Sequence, residues 1–151
     1  MLIETFTLNE RLALGGEYTW RLKDSEIRFR GSRRFASLVD RRIPARAEQI
    51  ASFRDALDWL EVWSWRDDYA PEDVGWSVLD GSAWSFAASF GDRQCKCAGV
   101  NGYPSFGDPT QTTTERGRLA CLIAAMYECF HVEAYIHIAA HQRQCEQEDS
   151  G

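Results

Sequence analysis

Hydrophobic and polar residues alternate strictly in two neighbouring segments near the start of the sequence. In segment 17–22, Tyr, Trp and Leu alternate with Glu, Thr and Arg. After a polar turn sequence at 23–25, the alternation returns in segment 26–30, where Ile and Phe are interleaved with Glu and Arg. Because successive side chains of a strand point to opposite faces, this pattern predicts a hairpin with one buried and one charged face.

Two longer segments show a different pattern, in which apolar side chains are spaced three and four residues apart. The first follows Pro44, a residue suited to the first turn of a helix, and predicts a helix over 44–61. The second follows the capping sequence Thr112–Thr114 and predicts a helix over 114–130. The segment 32–43 has no sustained period and is expected to be irregular.

The segment Trp76–Pro104 carries two tight-turn signals between short runs of aromatic and small residues. Asp80-Gly81 and Gly91-Asp92 both supply the positive φ angles that hairpin turns need. The segment therefore predicts a three-stranded antiparallel meander. Alternation over Trp63–Tyr69 predicts one more strand ahead of it, and the breaker-rich loop over 101–109 is expected to lack regular structure.

Strands in runs, with the helices set apart, are typical of the α+β class. We therefore expect an antiparallel sheet, built from the N-terminal hairpin and the C-terminal meander, with two main helices packed on one face. A single α+β domain is expected over 1–141, followed by a polar, frayed tail over 142–151. Within that domain, segment 132–140 fits either a last strand or a continuation of the second helix.

Composition and cysteine count indicate the class and compartment of the protein. The 151 residues are 44% hydrophobic and 26% charged, which is typical of a globular domain. No apolar run approaches the ~20 residues of a membrane span, and Glu4 and Glu10 interrupt the start where a signal peptide would be apolar. The five cysteines are an odd number, which favours reduced thiols over a disulfide framework. We therefore expect a cytoplasmic protein without a membrane-bound part.

Positive charge is concentrated in one stretch of an acidic chain. Nine basic and three acidic side chains fall between residues 21 and 46, so this stretch carries +6, whereas the whole chain carries −6 and the remainder therefore −12. Such asymmetry marks a candidate surface for an acidic protein or another anion, while the overall acidity disfavours nucleic acid as a partner. The alternative is that the arginines reflect codon usage and form ordinary solvated surface. The candidate binding residues are Arg28, Arg30, Arg33, Arg34, Arg41 and Arg42.

Three short motifs follow one another between residues 65 and 104. They are W-x3-Y-x-P from Trp65 to Pro71, DGxxW from Asp80 to Trp84, and GxNxYP from Gly99 to Pro104. In this order they resemble a signature found in many small uncharacterised bacterial proteins, over about forty of the 151 residues. The resemblance implies the meander and the loop after it, and it carries no known activity.

Asn101 and Tyr103 within these motifs admit two interpretations. Asn tolerates a left-handed backbone and aromatic rings bury a large area, so both residues are suited to holding the fold. Alternatively, they are polar contacts for a ligand or peptide in an aromatic-lined groove. Both are therefore kept as candidate binding residues.

Cysteine and histidine spacing raises the question of a metal site. His137, His141 and Cys145 recur at intervals of four and would share one face of a helix, with Cys95 and Cys97 completing a tetrahedral shell. The pattern lacks the HExxH glutamate, and a strand over 132–138 would separate the ligands. An acidic cluster (Asp67, Asp68, Glu72, Asp73) is typical of a solvated loop, and no GxSxG motif occurs. We therefore predict no catalytic residue, no cofactor and no bound metal.

These observations leave two classes of function. The first is a small non-catalytic, cytoplasmic protein-interaction module, such as an inhibitor, an immunity-type partner or an accessory subunit, which binds another protein. It rests on the charge asymmetry, on a surplus of aromatic residues (six Trp, five Tyr and eight Phe) and on the lack of a coherent catalytic motif. The alternative is a small enzyme or metal-binding protein that uses the Cys and His groups.

Overall fold

The computed structural model describes residues 4–12, 16–33, 39–69 and 82–135. The strands are β1 (Glu4–Arg11), β2 (Gly16–Lys23), β3 (Glu26–Arg33), β4 (Val39–Pro44), β5 (Asp68–Tyr69), β6 (Ala83–Phe90), β7 (Arg93–Val100), β8 (Tyr103–Pro104) and β9 (Thr112–Thr113). The helices are α1 (Ala47–Trp59) and α2 (Gly117–Cys129), and short 3₁₀ turns follow them at Val62–Ser64 and Val132–Ala134.

Seven of the strands form one sheet in the order β4-β3-β2-β1-β6-β7-β5. Neighbouring strands are antiparallel throughout, except that the two-residue β5 runs parallel to β7. Strands β8 and β9 form a separate two-stranded ribbon. The predicted α+β class is therefore confirmed, with a large, mostly antiparallel sheet and two helices among the described residues.

The core forms where alternating side chains of the sheet meet the helices. Trp20 of β2 lies opposite Leu8 of β1, and both are fully buried. The ring centroid of Tyr127 in α2 lies 5.4 Å from that of Trp20, and the ring centroid of Phe53 in α1 lies 4.9 Å from that of Phe6 in β1. Both helices thus contact the apolar set of the central strands, where burial contributes roughly 25 cal/mol per Å² of apolar surface.

The N-terminal half differs from the sequence-based expectation at β1, which was not predicted, and at β4. Segment 32–43 was expected to be irregular, yet Val39–Pro44 pairs with β3. As an edge strand with Ile43 as its one fully buried residue, β4 lacks a strong alternating pattern. Pro44 ends this strand instead of starting a helix. Ala45 donates its N–H to Ser25 O at 2.9 Å, so position 44 points away from β3, where proline is tolerated.

The helix starts and the later strands also need correction. α1 begins at Ala47, three residues after Pro44, and α2 begins at Gly117 instead of 114 because Thr112–Thr113 lies in β9. The strand expected over Trp63–Tyr69 is reduced to Asp68–Tyr69, since Val62–Ser64 forms a 3₁₀ turn. The loop over 101–109 is not wholly irregular, because its Tyr103–Pro104 segment forms β8.

The predicted meander is visible in part. β6 and β7 are joined by a tight turn at Gly91, whose φ is +68°. The strand and turn expected over 76–81 lie outside the described residues, as does the tail over 142–151. Of segment 132–140, the first three residues form a 3₁₀ turn and residues beyond 135 are not described. Within the described ranges, neither helix is both long and apolar enough to span a membrane.

Candidate functional site

Three arginines stand side by side across the outer strands of the sheet. Arg28 of β3 lies directly opposite Arg21 of β2 on one side and Arg42 of β4 on the other. They alternate along the strands with the buried Ile27 and Phe29, so they lie on the opposite face of the sheet. We call this surface the arginine face. Its members are Glu17, Thr19, Arg21, Glu26, Arg28, Arg30, Asp40 and Arg42.

Carboxylates neutralise this face only in part. Asp40 accepts hydrogen bonds from Arg28 Nη2 at 2.9 Å and from Arg28 Nε at 3.3 Å, and it lies 3.7 Å from Arg30 Nε. Glu26 lies 3.6 Å from Arg42 Nε. The hydrogen bond from Arg28 holds the pKa of Asp40 below its ordinary value, so this carboxylate is charged at neutral pH. The face carries four arginines and three carboxylates, those of Glu17, Glu26 and Asp40, and therefore keeps a net positive charge.

A shallow depression of about 290 Å³ lies within the arginine face. It is lined by Glu17, Thr19, Arg21, Arg28, Arg30, Gly31 and Ser32. Arg21 forms no ion pair with any residue that the structure describes. A polar row continues from the depression, because Thr19 Oγ1 donates to Asn9 Oδ1 at 2.9 Å and Asn9 Nδ2 donates to Ser85 Oγ at 3.0 Å. The depression thus offers three guanidinium groups together with the hydroxyl groups of Thr19 and Ser32 and the carboxylate of Glu17.

The structure places only some of the remaining arginines of the sequence-based prediction. Arg41 lies opposite Phe29 and is therefore on the other face of the sheet, where its Nη1 donates to the backbone O of Asp40 at 3.0 Å. Arg33 is the last residue of β3, and its side chain is not described. Arg34 lies outside the described residues. The structure therefore brings Arg28, Arg30 and Arg42 together and separates Arg41 from them.

Arg21 was missing from the predicted site, although the hairpin register identifies it. The two-residue turn at Asp24 and Ser25 places Lys23 opposite Glu26, and counting back by two places Arg21 opposite Arg28. Both turn residues have the positive φ that such a turn requires, 54° and 62°. The signal was therefore present in the spacing of the turn.

The aromatic residues of the predicted signature pack together at the other end of the sheet. The ring centroid of Trp84 in β6 lies 6.1 Å from that of Trp65, 5.9 Å from that of Tyr69 and 6.4 Å from that of Tyr103. All four side chains are buried. Trp84 Nε1 donates to the backbone O of Gly102 at 2.8 Å. We call Trp65, Tyr69, Trp84 and Tyr103 the signature cluster.

Tyr69 ties the signature cluster to two loops. Its hydroxyl donates to the backbone O of Pro109 and accepts from the backbone N–H of Arg66 at 2.9 Å. Burial raises the pKa of Tyr69 to about 12. Burial likewise raises the pKa of Tyr103. Both phenols are therefore neutral at physiological pH, and the hydroxyl of Tyr69 acts as a hydrogen-bonding group within the fold.

Asn101 and Tyr103, the candidate binding residues outside the arginine stretch, both make contacts within the chain. Asn101 has a φ of +53°, and its Oδ1 accepts from the backbone N–H of Ser82 at 3.0 Å. Tyr103 is only 7% exposed and stacks on Trp84 with an interplanar angle of 12°. The geometry gives both residues a part in holding the loop after β7.

No known protein family matches this chain. No curated protein matches it either. The resemblance over 65–104 therefore stays a prediction.

Cys95 and Cys97 point to the same face of β7, as alternate residues of a strand do. They lie opposite Ala88 and Phe86 of β6, and Cys97 is fully buried. The hydrogen bond between the two thiols lowers the pKa of Cys95, while that bond and burial raise the pKa of Cys97. A buried thiol held in its protonated form is a poor nucleophile and a poor metal ligand.

The other residues proposed from sequence for a metal or acid–base site are not brought together in the described part of the chain. No group of three or more His, Cys, Asp or Glu side chains there is arranged to hold a metal ion. His137, His141 and Cys145 lie outside the described residues. Asp67 and Asp68 are exposed at the start of β5, and the other two members of the acidic cluster are not described.

Proposed function

We propose that this protein is a small, non-catalytic interaction module that binds an acidic protein through the arginine face. The observation that carries the proposal is the row Arg42, Arg28, Arg21, in which like charges stand directly opposite one another across three strands. Directly opposed like charges destabilise a sheet. Carboxylates supplied by a partner would relieve this repulsion in the complex. The row therefore has a role in binding, whereas it has none in stabilising the fold.

The arginine face also depends on how the helices are placed. In our proposal, the hairpin and the meander belong to one sheet and both helices pack on one face of it, which leaves the arginines uncovered. The ring contacts support this arrangement, since α1 and α2 reach Phe6 and Trp20, and these residues alternate with the polar set to which Arg21 belongs. An uncovered sheet face with fixed guanidinium groups is suited to docking a folded partner.

The chemistry of arginine favours carboxylates on that partner. A guanidinium group presents a rigid fork of donors that matches a carboxylate in two parallel hydrogen bonds. Asp40 already shows this geometry with Arg28 inside the protein. The charge of −12 outside the stretch 21–46 repels the phosphate backbone of nucleic acids, whereas a protein partner can present its acidic patch to the arginine face alone.

Stability alone does not account for the arrangement. Arg28 and Arg42 are 51% and 71% exposed at their side chains, and exposed ion pairs contribute only about 0–1 kcal/mol. Protection of a sheet edge by charge is a different role, and Arg41 fills it through its contact with the carbonyl of Asp40. Edge protection does not explain the whole row, because only Arg42 lies on the edge strand β4. Arg28 lies on β3, and Arg21 lies on β2, two strands away from the edge.

The test is affinity capture with matched charge reversals. The Arg28→Glu/Arg42→Glu variant should lose the protein that the unmodified chain captures from a cytoplasmic extract of its source cells. The Arg41→Glu/Arg46→Glu variant changes net charge equally from positions outside the arginine face and should retain it. Equal capture by all three proteins would contradict the proposal. The captured protein must also elute as salt rises, because exposed charges are screened beyond about 10 Å at 0.1 M salt.

A further inference from the structure

Two aromatic side chains are unusually exposed on the helical side of the molecule. Trp59, the last residue of α1, is 77% exposed, and Phe106, in the loop between β8 and β9, is 61% exposed. These are the highest values for large hydrophobic side chains in the described ranges. Tryptophan and phenylalanine are enriched in protein interfaces, and tryptophan dominates their energetic centres.

One half-buried arginine contacts the backbone beside both aromatic residues. Arg118 of α2 is only 12% exposed at its side chain. Its Nη1 donates to Leu60 O at 2.9 Å, directly after Trp59, and its Nη2 donates to Phe106 O at 2.7 Å. Its Nε donates to Ser105 O at 2.9 Å. A single guanidinium group therefore holds the end of α1 and the β8–β9 loop together, beside the two exposed aromatic residues.

The surface around these aromatic residues is negatively charged. Glu48, Ser52, Asp55 and Trp59 follow at steps of four, three and four along the exposed side of α1. Among the described residues, Glu48 and Asp55 form no ion pair. Three arginines on and around α1 are each paired with a carboxylate: Arg54 with Glu4, Arg93 with Asp58, and Arg118 with Glu61. Arg46 lies at the other end of α1, so the charge left on the side of the helix that leads to Trp59 is the negative charge of Asp55.

We propose that this surface, the acidic aromatic strip of Glu48, Asp55, Trp59 and Phe106, docks a cationic segment of a protein partner that also carries apolar side chains. Charge complementarity selects the occupant, because lysine or arginine on the segment would pair with Glu48 and Asp55. The exposed face of Trp59 attracts the same cations and covers the apolar side chains next to them. This surface is separate in position and opposite in charge from the arginine face, so it stands independently of the function proposed above.

The direct test uses a fluorescein-labelled amphipathic helical peptide of leucine and lysine, with a leucine–glutamate peptide of the same pattern as its counterpart. Fluorescence anisotropy should show binding of the lysine peptide to the full chain and none of the glutamate peptide. Trp59→Ala should weaken that binding about tenfold or more, as expected for an interface hot spot. Asp55→Asn should weaken it less and should reduce its dependence on salt.

Control variants separate this proposal from its rivals. Val100→Ala and Tyr135→Ala remove other exposed hydrophobic side chains, 46% and 44% exposed, and should bind the lysine peptide like the unmodified chain. Arg28→Glu/Arg42→Glu should also bind it normally, so that loss of the arginine-face function leaves this result intact. Equal binding of both peptides, or equal weakening by Val100→Ala, would overturn the proposal. A concentration-dependent dimer that Trp59→Ala abolishes would replace the cationic segment by a second copy of the chain.

Discussion

The arginine face and the signature cluster lie at opposite ends of the seven-stranded sheet, and they use their side chains in opposite ways. Arg28 and Arg42 keep about half or more of their side-chain surface in water. Trp84 and Tyr103 keep 4% and 7%. The buried aromatic side chains contribute packing and hydrogen bonds to folding, whereas the arginine row places like charges opposite one another that Asp40 and Glu26 neutralise only in part. Substitutions in the signature cluster should therefore change mainly stability, and substitutions in the arginine face should change mainly binding.

The largest effect is expected at Gly99 beside the signature cluster. A Cβ atom there would overlap the backbone O of Gly102 and lie 2.5 Å from Trp84 Nε1, so the hydrogen bond between these groups would break. Gly99→Ala should lower the free energy of unfolding by about 3 kcal/mol, the upper range for overpacking. Urea denaturation followed by circular dichroism measures the change. Gly107→Ala, where a Cβ meets no atom within 4 Å, is the control and should have little effect.

A smaller loss is expected at Tyr69. Tyr69→Phe removes the hydroxyl that binds Pro109 O and the N–H of Arg66, and leaves these buried groups without their partner. The free energy of unfolding should fall by about 1–3 kcal/mol. Tyr135→Phe, at a side chain 44% exposed, should be neutral. If both substitutions had the same effect in urea denaturation, the hydroxyl of Tyr69 would have no special part in the cluster.

The same residue predicts how stability depends on alkaline pH. Burial raises the pKa of Tyr69 from an ordinary 10.0 to about 12 in the folded state. Its stabilising contribution is complete below pH 10 and is lost as pH rises towards 12, because the unfolded chain ionises first. The tyrosinate absorbance that belongs to Tyr69, taken as the difference between the unmodified chain and Tyr69→Phe, should therefore appear late in a titration of the folded protein. Tyr69→Phe should show a shallower loss of stability over this interval.

The smallest effect has the opposite sign and belongs to the arginine face. Arg21→Glu replaces a like-charged pair with Arg28 by an oppositely charged pair, which should raise the free energy of unfolding by about 0.5 kcal/mol. The same change should weaken capture of the acidic partner. Lys23→Glu is the matched control, because it creates a like-charged pair with Glu26 and should destabilise. A destabilised Arg21→Glu variant would show that repulsion between Arg21 and Arg28 does not lower the stability of the fold.

The sequence predicted those parts of the fold that are local. Strict alternation located β2 and β3, and helical spacing located α1 and α2 to within a few residues. β4 was missed because an edge strand with charged residues on both faces resembles a loop. The position of β1 between β2 and β6 was not predictable either, since it depends on pairing between residues 4–11 and 83–90, far apart in the chain.

The candidate site was predictable to a similar depth. Arg28, Arg30 and Arg42 share a surface because their positions alternate correctly in two paired strands, but Arg41 is one residue out of step and belongs to the other face. Arg21 needed the register of the hairpin as well as its alternation. The exposure of Trp59 and Phe106 was not predicted from the sequence.

The pairing of β1 with β6 also limits how the chain can fold while it is being synthesised. Strands β2 and β3 are neighbours in the chain, and so are β6 and β7, so both hairpins require only short loops to close. β1 is synthesised first, yet one of its edges stays unpaired until residue 90 has left the ribosome. Long-range closure of this kind slows folding and leaves a strand edge open to wrong partners. The seam between β1 and β6 is therefore where a nascent chain would most need protection from aggregation.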